Sequence, residues 1–354
     1  MKDILEEYDV KKVIYLEYEE KIISLIRSLL KEHGITIHAI ESRVKDKKSL
    51  EKKIERKDGK YSTLDEITDT VGLRIITYFE DDVDKIAEIL EEEFYLDTQN
   101  SVDKRNSSNP EAFGYASLHY ILRLKEPRAS LPEYQRFNFI NFEIQIRSIL
   151  QHAWAEIEHD IGYKSSVEIP KDIRRNFSRV SSLLELADIE FIRIKKEISE
   201  YSIKVKENIQ NEKLDIPLDK VTLEEFITDS KVVRELDEFL LDKLNGDHIE
   251  FEKNFSERTL IRLKLLEISS VEELKNKLES KKTKIKKFAT IWLSDSPREE
   301  VIKSIAMGLS IFYLMYVLAG ESENENFVIE YAKTLSEYEK EELAERIIET
   351  INSI

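Results

Sequence analysis

The chain has 354 residues, enough for two or three domains with sizeable cores, and its 36% charged residues against only 8 Gly and 6 Pro suit a helix-rich protein. With no Cys it can form neither disulfides nor thiolate metal sites, and its net charge of -17 argues against broad, sequence-independent binding to nucleic acid. The most apolar run, Ile305 to Ala319, falls short of the ~20 residues a membrane helix needs, and the charged start Met1–Glu7 has no leader pattern, so a cytoplasmic protein without a membrane element is expected.

After Val13 and Leu16, apolar residues at Ile22, Leu25, Ile26 and Leu29 recur at helical spacing until His33-Gly34 stops them. Ile35–Ile40 reads as a strand. It runs into a basic segment, Arg43 to Lys60, with nine basic residues against four acids. A local positive patch on an acidic body suits a small polyanion such as a nucleoside triphosphate, although charge runs commonly mark only a solvated face. Ser49 to Lys57 predicts a short helix, and Thr63 with Glu66 a capped turn. A strand over Gly72–Phe79 and a helix over 81–94 follow, then a loop over 100–111.

Strands are expected at 115–124 and 139–147, and both alternate. Phe142, Ile144 and Ile146 oppose Glu143, Gln145 and Arg147, while Ala116, Leu118 and Tyr120 oppose Tyr115, Ser117 and His119. A helix over 149–162 and a long amphipathic helix over 171–209 come next, and only helical segments are read beyond Leu214. The expected fold is α+β: residues 1–210 form a mixed sheet of about five strands flanked by helices, and residues 211–354 an all-helical region.

Phosphoryl and pyrophosphoryl transfer requires cations for the phosphates, carboxylates for Mg²⁺ and a group to deprotonate the attacking hydroxyl. Arg43, Lys45, Ser49 and Lys53 supply the first, with Ser49 and Lys53 four apart on one helical face. Asp69, just before a strand, and Glu143, on the polar side of another, supply the second. Tyr115 offers a ring on which a base can stack. Each has a plainer reading: Glu143 and Arg147 as a cross-strand pair, Trp154 as core, His152 and His159 as structural residues.

The ordered set Arg43-x-Lys45-x3-Ser49-x3-Lys53, Asp69-x2-Gly72-x-Arg74, Gly114-Tyr115-x-Ser117-x-His119 and Glu143-Ile-Gln145-Ile-Arg147 resembles the RelA/SpoT-type alarmone synthetase domain. The run Leu150–His159 with Tyr163-Lys164 extends the likeness over about residues 15–200. The resemblance implies a nucleotidyltransferase-like synthetase domain without the hydrolase domain of longer members. It implies transfer of the β,γ-pyrophosphate of ATP to the 3′-hydroxyl of GDP or GTP, giving (p)ppGpp. By position, Arg43, Lys45, Ser49, Lys53 and Arg74 would hold ATP. Asp69 and Glu143 would bind Mg²⁺, with Glu143 the base, and Tyr115, His119, Gln145 and Arg147 would form the acceptor side.

Where members of the family carry Lys, Pro and then Asn or Ser before the Gly-Tyr pair, this chain has Glu111-Ala112-Phe113, so the acceptor stays open. Related toxin-like enzymes act on the tRNA 3′ end or on adenosine nucleotides. For a tRNA acceptor end, Lys171, Arg174 and Arg175 are the candidate contacts. An antitoxin partner, a homo-oligomer and a non-catalytic nucleotide-sensing or interaction protein are the further expectations kept open.

Overall fold

The computed structural model describes residues 2–57, 59–105, 117–163, 171–250, 255–294, 303–322, 324–336 and 338–354. The chain divides into two compact units, Met1–Lys196 and Glu197–Ile354.

The first unit opens with α1 (Lys2–Glu32), then β1 (Ile37–Val44), α2 (Lys47–Arg56), β2 (Val71–Thr77) and α3 (Asp81–Glu93). β3 (Phe94–Leu96), β4 (Val102–Asp103), β5 (Leu118–Leu124), β6 (Phe142–Ser148), α4 (Ile149–Tyr163) and α5 (Lys171–Gln210) complete it, with α5 running on past Lys196. The sheet has six strands in the order β1-β2-β6-β5-β3, with β4 also on β5. Only β2 and β6 run parallel; the other pairs are antiparallel. The mixed sheet is the expected one, with β4 as a two-residue addition too short for any alternation to announce.

Alternation gives the sheet two unlike faces. Leu73, Ile75, Phe142, Ile144 and Ile146 point into a core with Tyr8, Tyr18, Ile22 and Ile26 of α1 and Val83, Ile86 and Leu90 of α3. Rings interlock there: Tyr18 lies 5.1 Å from Phe137 and 6.0 Å from Phe142, and Phe94 5.4 Å from Phe142. The opposite face carries the polar residues of β1, β2, β5 and β6. Sliding any of these strands by one residue would send the charges into the core, so burial fixes the register.

β1 continues past Ile40 to Val44, because Glu41, Ser42 and Arg43 pair in register with β2. The helix that follows begins at Lys47 rather than Ser49, since Asp46 caps it by accepting from the Ser49 amide at 3.0 Å. Thr63 makes no side-chain cap; the Ser62 amide donates to Glu66 instead, at 2.7 Å.

The second unit holds α6 (Lys220–Asp229), α7 (Lys231–Lys243), β7 (His248–Glu250), α8 (Phe255–Leu265), α9 (Val271–Ser294), β8 (Ser304–Ala306), α10 (Leu309–Gly320), α11 (Glu325–Lys333) and α12 (Lys340–Asn352). β7 and β8 form a two-stranded parallel sheet, an addition to the helical expectation that three-residue strands leave no periodicity to reveal. The apolar run becomes α10, buried among its neighbours, and no described helix is long and apolar enough to cross a membrane. Buried Asp237 caps α10 from α7, accepting from the Gly308 and Ser310 amides at 2.6 and 2.8 Å.

Candidate active site

The polar face of the sheet forms an open cleft lined by residues from β1 and just after it, the turn before β2, β2 itself and β6. Strand register sets its floor. Arg43, Gly72 and Glu143 lie in one row across β1, β2 and β6; Glu41, Arg74, Gln145 and His119 lie in the next row, which extends onto β5. Residues spread over a hundred positions of sequence thus meet because four strands pair, and rigid strands hold them more firmly than loops would.

Gly72 is where the floor dips. A Cβ built there would meet only the Arg43 carbonyl oxygen at 3.9 Å and its Cγ at 4.0 Å, ordinary contacts. Neither backbone strain nor crowding therefore demands glycine at this position. A missing side chain between Arg43 and Glu143 makes the room.

At one end of the cleft sits Asp69, with 18% of its side chain exposed. Its Oδ2 receives Lys45 Nζ at 3.0 Å and Lys53 Nζ at 2.7 Å. Lys45 arrives from the end of β1, its amide bonded to the Thr70 carbonyl, and Lys53 from α2. Burial alone pushes the Asp69 carboxyl up, but hydrogen bonds and charge from Lys53 and Lys45 outweigh it and hold the group below its ordinary value. Its other oxygen, Oδ1, is buried with no hydrogen-bond partner among the described residues. A buried anionic oxygen without a donor is costly, and it is suited to a cation.

Across Gly72, Glu143 Oε1 lies 3.1 Å from His119 Nδ1, whose Nε2 lies 2.6 Å from Ser117 Oγ. An ionised carboxylate only accepts, so Nδ1 carries the proton; in the neutral ring, the Ser117 hydroxyl then donates to Nε2. Burial pushes the Glu143 carboxyl up, but His119 outweighs it and leaves the group below its ordinary value, with the Asp69 charge opposing and Gln145 assisting. Glu143 is therefore kept ionised and oriented by a neighbour. His119→Ala is expected to remove the main lowering influence, leaving burial and Asp69 to raise the Glu143 pKa. The acid limb of the rate–pH profile then moves toward neutral pH; a limb that stays in place shows that His119 does not set this carboxyl.

Arg74 donates through Nη1 to Glu41 at 3.3 Å and to Glu156 of α4 at 3.0 Å. Arg147, 5% exposed, reaches the same Glu156 oxygen at 3.5 Å, and burial together with the Arg74 charge brings its pKa down to about 10.

Of the residues expected from sequence, Arg43, Lys45, Asp69, Arg74, Glu143 and Gln145 line the cleft. Lys53 joins them through Asp69 and His119 through Glu143. Ser49 is exposed in the first turn of α2 and is not among the lining residues. Gly114 and Tyr115 lie outside the described residues, as do the side chains of Lys171 and Arg174. Trp154 is core at 6% exposure. Sequence reasoning missed Glu41 and Glu156; the polar alternation Glu41-x-Arg43 could have revealed the first.

The match to a family model described as the region found in RelA / SpoT proteins spans residues 42–168, which hold every cleft strand except the start of β1. The GTP pyrophosphokinase YjbM of Bacillus subtilis (strain 168) is 30% identical over 165 residues, covering 46% of this chain and 74% of that protein. The chain belongs to the RelA/SpoT family. The GTP pyrophosphokinase YwaC of the same organism is 28% identical over 207 residues, 56% of this chain and 95% of that protein. Among solved structures, the small alarmone synthetase 2 from Bacillus subtilis is 26% identical, with a TM-score of 0.46, over 54% of this chain and 99% of that one. In this RelA/SpoT chain, the family match ends at residue 168, before the second unit begins at Glu197.

Proposed function

We propose that this protein transfers the β,γ-pyrophosphate of ATP to the 3′-hydroxyl of GDP or GTP, forming (p)ppGpp. The observation that carries the reading is the arrangement in the cleft: a lysine-flanked carboxylate at one end, a glycine gap in the floor, and beyond it a carboxylate braced by an imidazole.

Lys45 and Lys53 bind the donor's β- and γ-phosphates, to which their ammonium groups turn from Asp69, and Arg43 and Arg74 flank the rest of the donor. Glu143 accepts the proton of the 3′-hydroxyl as its oxygen bonds to the β-phosphorus. The bond from the β-phosphorus to the oxygen it shares with the α-phosphorus breaks, and AMP leaves with that oxygen and the electron pair. His119 and Gln145 hold Glu143 in place, and the acceptor base rests on Tyr115.

Asp69 and Glu143 would hold Mg²⁺, consistent with the donorless Oδ1 of Asp69 and with a cation that takes one or two carboxylates plus phosphate oxygens and keeps several waters. Among the described residues no three acidic or imidazole groups are placed to hold a metal ion by themselves, so phosphates and water would complete its shell. When bound, the ion supplies neutralisation of charge on the transferred group.

Incubation with γ-³²P-ATP, Mg²⁺ and, in parallel, GDP, GTP, adenosine nucleotides or bulk tRNA is expected to label GDP and GTP. Label on tRNA or on an adenosine nucleotide would replace the acceptor while keeping the donor half. No transfer to any acceptor would point to a nucleotide-sensing role.

A further inference from the structure

Glu156 is a half-exposed acid on a helix, a kind of residue whose ion pairs commonly contribute little. Its neighbours here are unusual. A single oxygen, Oε1, lies 3.0 Å from Arg74 Nη1, 3.5 Å from Arg147 Nη2 and 3.9 Å from His152 Nδ1. Arg147 is nearly enclosed, with 6% of its side chain exposed, and its Nε has no hydrogen-bond partner among the described residues. One carboxylate therefore balances two guanidinium groups that repel each other, and burial and those two arginine charges together push the His152 pKa down.

The way Arg74 is held has a direct functional reading. Glu41 on β1 and Glu156 on α4 approach it from two elements, and both engage the same nitrogen. Nε and Nη2 are left uncommitted among the described residues, on a residue that lines the cleft. A guanidinium tethered at one corner presents its remaining donors in a fixed direction, which lowers the ordering cost when a ligand binds.

We infer that Glu156 is a positioning residue for the donor nucleotide: it fixes Arg74, shields it from Arg147, and so orients the donors that meet ATP. This rests on the donor assignment proposed above. Without Glu156, Glu41 remains as a single, exposed tether, and Arg74 faces the uncompensated charge of Arg147.

Isothermal titration with α,β-methylene-ATP, whose bridging carbon blocks the bond that transfer would break, tests this in the full chain. Glu156→Ala is expected to weaken the analogue about tenfold, the weight of a charge-assisted hydrogen bond partly open to water. Its melting temperature and its affinity for GDP are expected to stay as in the unaltered protein. Glu156→Gln, which still offers Arg74 a carbonyl oxygen, is expected to recover most of the loss. Unchanged analogue affinity in Glu156→Ala, or equal losses in both variants together with a lowered melting temperature, would overturn the inference. Failure of the unaltered protein to bind the analogue would instead overturn the donor assignment, and this inference with it.

Discussion

Glu143→Gln is expected to slow pyrophosphate transfer by about a thousandfold, within the range that general bases contribute. The amide keeps the shape and can still pair with His119, so the β2–β6 register and the cleft should survive, while the group can no longer take a proton and offers a cation only a neutral oxygen. Nucleotide affinity should remain close to that of the unaltered protein, because Lys45, Lys53, Arg43 and Arg74 are untouched. Asp69→Asn belongs to the same experiment and should fail differently. Lys45 and Lys53 lose their counter-charge, and the site loses a cation ligand, an effect worth several kcal/mol or roughly a thousandfold in rate at ~1.4 kcal/mol per factor of ten. Both lysines retain contact with water, at 13% and 17% side-chain exposure, so the fold should tolerate the change. Raising Mg²⁺ should restore part of the Asp69→Asn activity and none of the Glu143→Gln activity. More than a few per cent residual rate in both variants would remove the carboxylates from the mechanism.

Gly72→Val should produce an inactive protein that is no less stable. The position lies in a strand interior, where glycine costs roughly 0.5–1 kcal/mol relative to alanine and a β-branched residue is favoured. The Cβ has ordinary contacts, so nothing in the backbone resists it. Its methyl groups enter the gap between Arg43 and Glu143, and the analogue should bind at least about a hundredfold more weakly, as expected when a substrate phosphate meets an apolar group instead of open space. Gly72→Ala should fall between the two, slightly stabilised and partly active, a local trade of stability against function. Thermal melting alongside analogue titration checks both sides. A Gly72→Val protein that binds normally would show that the donor does not cross the β2 floor.

Much of the site was legible because period-two alternation is robust on strands with one buried face. Phe142, Ile144 and Ile146 had to share the core side, which forced Glu143, Gln145 and Arg147 together. The same logic placed His119 opposite Leu118. Glu156 was not legible, since its position on a charged helix resembles a solvated residue and its partners come from β2 and β6. Nor did sequence distinguish the reason for Gly72, which looked like the start of a strand and proves to be a gap between two side chains in register. Ser49 keeps its expected helical spacing from Lys53 within α2, but it lies exposed in the first turn, just after the Asp46 cap, and does not line the cleft. In the second unit, β7 and β8 pair across more than fifty residues, a contact no local pattern encodes.

The parallel pairing of β2 with β6 carries a final consequence for how activity emerges during synthesis. Glu143 on β6 and Asp69 just before β2 sit on segments whose union requires a long intervening stretch to be closed first, a slow event compared with helix formation. On the proposed mechanism, an emerging polypeptide has its cationic segment early but lacks the base until β6, which ends at Ser148, has been made. Chains that stop short of β6 are then expected to be inactive, and to gain activity only once β6 has paired with β2.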